Sequence, residues 1–83
     1  MANIRLRFFA AARAAAGVGE TVIEADDGST LREALAVFTD GRRDVSEIVA
    51  RCSFLVNGIV ETDADRVLVD GDLVDVMPPF AGG

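Results

Sequence analysis

Apolar and polar residues alternate with period two over residues 4–9, Ile-Arg-Leu-Arg-Phe-Phe. This sets Ile4, Leu6 and Phe8 on one side and Arg5, Arg7 and Phe9 on the other, the pattern of a strand buried on one face. Ala10 to Ala16 is alanine throughout except for Arg13, a composition of high intrinsic helicity, and Gly17 stands where a helix C-terminal glycine belongs. Glu20 to Ala25 predicts a second strand, closed by the Asp26-Asp27-Gly28 turn. A helix follows at once. Ser29 or Thr30 caps it, Thr30 and Glu33 have capping-box spacing, and Leu31, Leu35 and Phe38 fall on one face at i, i+4 and i+7.

The Asp40-Gly41-Arg42-Arg43 stretch breaks that pattern, and Asp44 with Glu47 opens a short helix that buries Val45, Ile48 and Val49. Phe54-Leu55-Val56 and Ile59-Val60 flank Asn57-Gly58, the strongest short-range signal for a hairpin. After the charged stretch 61–66, Val67-Leu68-Val69 leads into Asp70-Gly71-Asp72 and a last strand from Leu73 to Met77, halted by Pro78. One mixed sheet packed on one main helix, with one or two short extra helices, buries all of these faces. The expected fold is an α+β roll of the ubiquitin-like, or β-grasp, type. It spans residues 1–77, and residues 78–83 form a flexible C-terminal tail.

Composition narrows the function. The 83 residues make one small domain, and 51% hydrophobic with 27% charged residues is a globular balance. A single cysteine, Cys52, excludes an intrachain disulfide, and no stretch approaches the ~20 apolar residues of a membrane span or the core of a signal peptide. A soluble, cytoplasmic protein is expected. The formal net charge of −6 repels nucleic acid and anionic membranes, so neither is an expected partner. The absence of histidine removes the commonest general base and metal ligand, and one cysteine cannot build a zinc site. Gly17-Val18-Gly19 lacks phosphate-loop spacing, and the chain has no lysine. No bound cofactor or metal is expected.

The chemistry then falls to the end of the chain, Pro78-Pro79-Phe80-Ala81-Gly82-Gly83. A free α-carboxylate on a stem without side chains can enter a channel too narrow for other residues. Two prolines favour an extended path, so these residues are expected to project roughly 20 Å at ~3.3 Å per residue. The Gly83 carboxylate is the candidate reactive group, and Gly82 supplies clearance for it.

With this ending, the chain resembles the ubiquitin-like (β-grasp) sulfur carriers, most closely the small subunits of molybdopterin synthases. The resemblance runs from Phe8-Phe9-Ala10, Arg13 and Gly17, through Val56-Asn57-Gly58 and Asp70-Gly71-Asp72, to the Pro-Pro-x-Ala-Gly-Gly ending, which is its specific part. Ala12 and Ala15 depart from the larger apolar or acidic residues frequent in the family, and Met77 stands where phenylalanine is frequent. The resemblance implies a cycle with three partners. An E1-like adenylating enzyme consumes ATP to activate Gly83, a sulfur donor system converts the adenylate to a thiocarboxylate, and the tail enters the large catalytic subunit of the synthase. Sulfur there passes to a pyranopterin precursor in molybdenum cofactor biosynthesis. The resemblance thus implies a sulfur-carrying subunit of a sulfurtransferase complex that supplies no catalytic side chain of its own. Carriers for thiamin or cysteine biosynthesis share the fold and terminal glycines, as do ubiquitin-like modifiers conjugated through the terminal glycine. Those readings stay open at the level of sequence.

Partner contacts are expected along the tail, at Pro78, Pro79, Phe80 and Ala81, and on the sheet. Phe9 and Met77 occupy the polar phase of their strands, so adjacent first and last strands would join them in an exposed apolar patch at the tail's root, with Ile59 either a third member or a core residue. Cys52 reads as a small buried hydrophobe rather than a persulfide carrier. Asp70-Gly71-Asp72 reads as a tight turn rather than a calcium loop, and Arg42 and Arg43 as a solvated loop.

Overall fold

A computed structural model describes residues 1–79. Strand β1 (Ala2–Phe8) leads into helix α1 (Ala10–Ala16), strand β2 (Glu20–Ala25), helices α2 (Leu31–Thr39) and α3 (Arg43–Val49), and strands β3 (Ser53–Val56), β4 (Ile59–Glu61) and β5 (Leu73–Met77). The five strands form one mixed sheet in the order β2-β1-β5-β3-β4. The β1–β5 pair is parallel, with Arg5 opposite Leu73 and Arg7 opposite Asp75, and the remaining pairs are antiparallel. First and last strands are therefore neighbours at the centre of the sheet.

Period-two burial puts Ile4, Leu6, Phe8, Val56, Val74 and Val76 on one face, where they join Leu31, Ala34 and Leu35 of α2 and Val45 and Val49 of α3 in a single core. The Phe8 and Phe38 rings lie 4.8 Å apart by centroid within it. Alanine suits α1 because Ala12 and Ala16 are buried in the same core, where larger side chains would force the helix away from the sheet. Gly17 ends α1 with φ +79° and donates its N–H to the Arg13 carbonyl.

The capping box expected on α2 forms in both directions: Thr30 Oγ1 accepts from the Glu33 N–H at 3.1 Å, and Glu33 Oε1 accepts from the Thr30 N–H at 2.9 Å. The next two amides of that turn donate to the carbonyls of Arg66 and Ala64, which fastens the long β4–β5 connection to the helix. Val67-Leu68-Val69 belongs to that connection. Its one ladder contact is a bridge from Val67 to Thr30, while Leu68 is buried and its N–H donates to the Ser29 carbonyl.

Three boundaries differ from the sequence expectation. Strand β1 starts at Ala2, two residues early, and ends at Phe8, because Phe9 turns out of the ladder to become the N-cap of α1. Helix α3 starts at Arg43 without a side-chain cap, and Arg42 is exposed in the loop before it, as expected, with its guanidinium 4.5 Å from the Phe38 ring centroid. Pro78 is buried and lines a recess with Ala11, Ile48, Arg51 and Pro79. The body thus extends one residue past the expected boundary at 77, since the α1–α3 pair offers an apolar bed for the proline ring. No helix among the described residues is long and apolar enough to cross a membrane.

Candidate functional site

The face of the sheet opposite the helices carries the residues left over by the core. In register across it run Glu20 on β2, Arg7 on β1, Asp75 on β5, Leu55 on β3 and Val60 on β4. Toward the chain end, Phe9 and Met77 flank this row. The Phe9 N–H still reaches the Val76 carbonyl at 3.3 Å, so the two side chains leave adjacent strand ends. Phe9 is 37% exposed and Met77 half-buried. The chain leaves β5 at Met77 and continues through the buried Pro78 to the exposed Pro79.

Ile59 does not join this group. Its register partner Val56 points into the core, so Ile59 sits on the helix side of the sheet edge, 70% exposed. The residue of β4 that shares the face with Met77 is Val60, opposite Leu55 and 66% exposed. The hairpin turn decides this. Asn57 and Gly58 take φ +53° and +83°, a two-residue loop that pairs Val56 with Ile59 directly. That loop length was legible in the sequence, and counting from Val56 would have identified Val60.

A second omission is the ion pair at the centre of the face. Arg7 grips Asp75 with both ends of its fork, Nε to Oδ1 at 2.6 Å and Nη2 to Oδ2 at 3.0 Å. The hydrogen bond to Asp75, foremost, holds the Arg7 guanidinium still more firmly protonated. The same guanidinium lies 5.8 Å from the Phe9 ring centroid. Glu20, although opposite Arg7, is taken by Arg5 at 2.8 Å. Asp75 is only 7% exposed, so an acidic residue at a nominally outward position is largely covered by its neighbours.

Pro78 is buried and Pro79 exposed at the tail's root, while Phe80, Ala81, Gly82 and Gly83 lie outside the described residues. The Cys52 thiol donates to the Ile48 carbonyl at 3.2 Å, and burial pushes its pKa up, which disfavours the thiolate that sulfur chemistry needs. Asp70-Gly71-Asp72 is a tight turn. Gly71 has φ +89°, Asp70 Oδ1 accepts from the Asn3 N–H at 2.7 Å, and Asp72 accepts from Asn57 and from the Val69 N–H. Among the described residues, no group of three or more histidine, cysteine or acidic side chains is placed to hold a metal ion. The arrangement is a mixed apolar and charged face at the base of the tail, suited to docking rather than to bond making.

Comparison with known proteins bears on that arrangement. The model of the ThiS family matches residues 6–83. The molybdopterin synthase sulfur carrier subunit of Chlamydomonas reinhardtii is 32% identical over 82 residues, covering 98% of this chain and 99% of that one. Among solved structures, the putative molybdopterin converting factor subunit 1 from Pyrococcus furiosus aligns with a TM-score of 0.83 at 28% identity, over 95% of this chain and 99% of that one. SAMP1 from Haloferax volcanii aligns with a TM-score of 0.86 at 20% identity, over 98% and 99% of the two chains, a likeness of fold.

Proposed function

The chain belongs to the ThiS family and has its ubiquitin-like β-grasp fold, and we propose that it is the sulfur carrier subunit of a molybdopterin synthase. The observation that carries this reading is the end-to-end match with a relative of that name.

In the proposed cycle the Gly83 carboxylate attacks the α-phosphorus of ATP on an E1-like enzyme, releasing pyrophosphate and leaving an acyl adenylate. Hydrosulfide from the sulfur source then attacks the carbonyl carbon and AMP departs, which leaves a thiocarboxylate. Adenylation is needed because a carboxylate has no adequate leaving group, and glycine is needed because a Cβ would block the approach to that carbon. The tail next enters the large catalytic subunit and passes its sulfur to a pyranopterin precursor. ATP belongs to the activating enzyme throughout, so this chain works as a co-substrate. Pro78, seated between α1 and α3, fixes where the tail leaves the body, and the Phe9–Met77 face beside it orients the docked partner.

The test is to incubate the full-length protein with ATP, an adenylating enzyme and a sulfur source, and to weigh it intact. A mass gain equal to exchange of one oxygen for one sulfur, lost when Gly83 is deleted, supports the proposal. Isopeptide-linked adducts in place of that species would favour a modifier instead. With no lysine in its sequence, the chain cannot be a lysine acceptor for further copies of itself.

A further inference from the structure

The Arg7–Asp75 pair interrupts the face on which the apolar side chains of Phe9, Met77, Leu55 and Val60 gather. The fold could accommodate apolar residues at both positions: each lies on the sheet surface, opposite the helices, and neither supports the core. A guanidinium carries more N–H donors than the two bonds to Asp75 use, and the remainder take no acceptor among the described residues. In the free protein, water satisfies them. A partner that covers Phe9 and Met77 also covers Arg7, because the Arg7 guanidinium lies against the Phe9 ring and Asp75 is two residues from Met77 in the same strand. The partner must then replace that water, since an unsatisfied donor in a dehydrated contact is costly.

Resting on the carrier reading above, we propose that Arg7, held by Asp75, selects the adenylating partner by requiring a neutral carbonyl oxygen opposite its guanidinium. The acceptor is neutral because Asp75 already balances the arginine. A second carboxylate would leave net negative charge in the contact, with a chain of net charge −6 behind it. The fork geometry makes the requirement directional. Asp75 holds Nε and one N–H of Nη2, so the guanidinium plane is set before docking and the remaining donors stay within that plane. A surface lacking a carbonyl at that point is rejected even when its apolar parts fit Phe9 and Met77.

The test measures steady-state adenylation of the full-length chain by an enzyme that accepts the wild type. The double variant Arg7→Leu/Asp75→Val replaces the pair by apolar residues, a change expected to leave the melting temperature unchanged or raised. Its KM should rise about tenfold with kcat unaltered, because the lost hydrogen bond is made on docking while Gly83 is untouched. Arg7→Gln keeps a donor for Asp75 and provides the same reading should the double variant misfold. Asp75→Asn distinguishes the acceptor: a partner carboxylate would gain from the uncovered positive charge and KM would fall, whereas a carbonyl predicts no fall. A folded double variant with wild-type KM, or a lower KM for Asp75→Asn, overturns the inference and leaves the carrier reading intact. A wild-type chain that no adenylating enzyme accepts overturns both.

Discussion

Asn57 and Asp72 join the hairpin to the last strand: Asn57 Nδ2 donates to Asp72 Oδ1 over 2.9 Å. Asn57 Oδ1 accepts from the Leu73 N–H at 2.9 Å, its own N–H donates to the Leu73 carbonyl at 2.8 Å, and Asp72 Oδ2 takes the Val69 N–H at 2.8 Å. Two turns far apart in sequence are thereby locked to one strand. Asp72 is buried, so Asp72→Ala strands two donors and should cost about 2–3 kcal/mol, with Asp72→Asn near 1 kcal/mol. Urea denaturation reads both. A loss for Asp72→Ala below about 0.5 kcal/mol, the range of ordinary surface changes, would mean the network does not hold the hairpin.

Ala10 opens α1 with φ +50°, a conformation that a Cβ disfavours by roughly 1–2 kcal/mol. Its side chain is exposed, so packing does not obscure the effect. Ala10→Gly relieves this strain but frees the unfolded chain by about 0.4–1 kcal/mol, and a net change near zero or a small gain is expected. Ala10→Val should destabilise by more than about 1 kcal/mol, because branching at Cβ makes the left-handed region still less accessible. Equal melting curves for the two variants would contradict the strained geometry.

Glu61 accepts from Arg66 Nη1 at 2.9 Å and from the Asp63 N–H at 3.2 Å, and these bonds, Arg66 foremost, hold its carboxyl below the usual carboxylate range. A pKa depressed in the folded state contributes stability above the unfolded value, and that contribution is lost as pH falls through the folded one. Carbon-detected titration should find Glu61 ionised at acid pH where an ordinary glutamate is protonated. Arg66→Gln should move it back toward the ordinary value and flatten this part of the acid-unfolding profile. A Glu61 titration that ignores Arg66→Gln would refute the assignment.

Cys52 should behave as an inert thiol. Burial raises its pKa and the Ile48 carbonyl engages its hydrogen, so alkylation near neutral pH should run slower than for a free thiol in solution. Cys52→Ser should retain sulfur loading at Gly83. Loss of loading in a folded Cys52→Ser protein would reinstate the persulfide role.

Much of the scaffold was legible because its signals are local. The Thr30–Glu33 capping box, the Gly17 stop and the Asn57-Gly58 loop each depend on residues within a few positions, and each stands where the pattern placed it. Phe9 and Met77 were legible as apolar residues in a polar phase. Ile59 was misplaced because a three-residue strand is too short for alternation to reveal its face, which the pairing with Val56 sets. Pro78 read as tail because only the α1–α3 packing supplies the surface that buries it.

What the sequence determined by itself is the set of short-range choices: which segments turn, cap, coil and alternate. What only the tertiary structure decided is adjacency. The parallel pairing of β1 with β5 brings Arg7 to Asp75, sixty-eight positions away, and places both beside Phe9 and Met77 where the tail begins. Alternation assigns each of these residues to a face. The order of strands within the sheet, set by how the helices share one core, decides which of them meet.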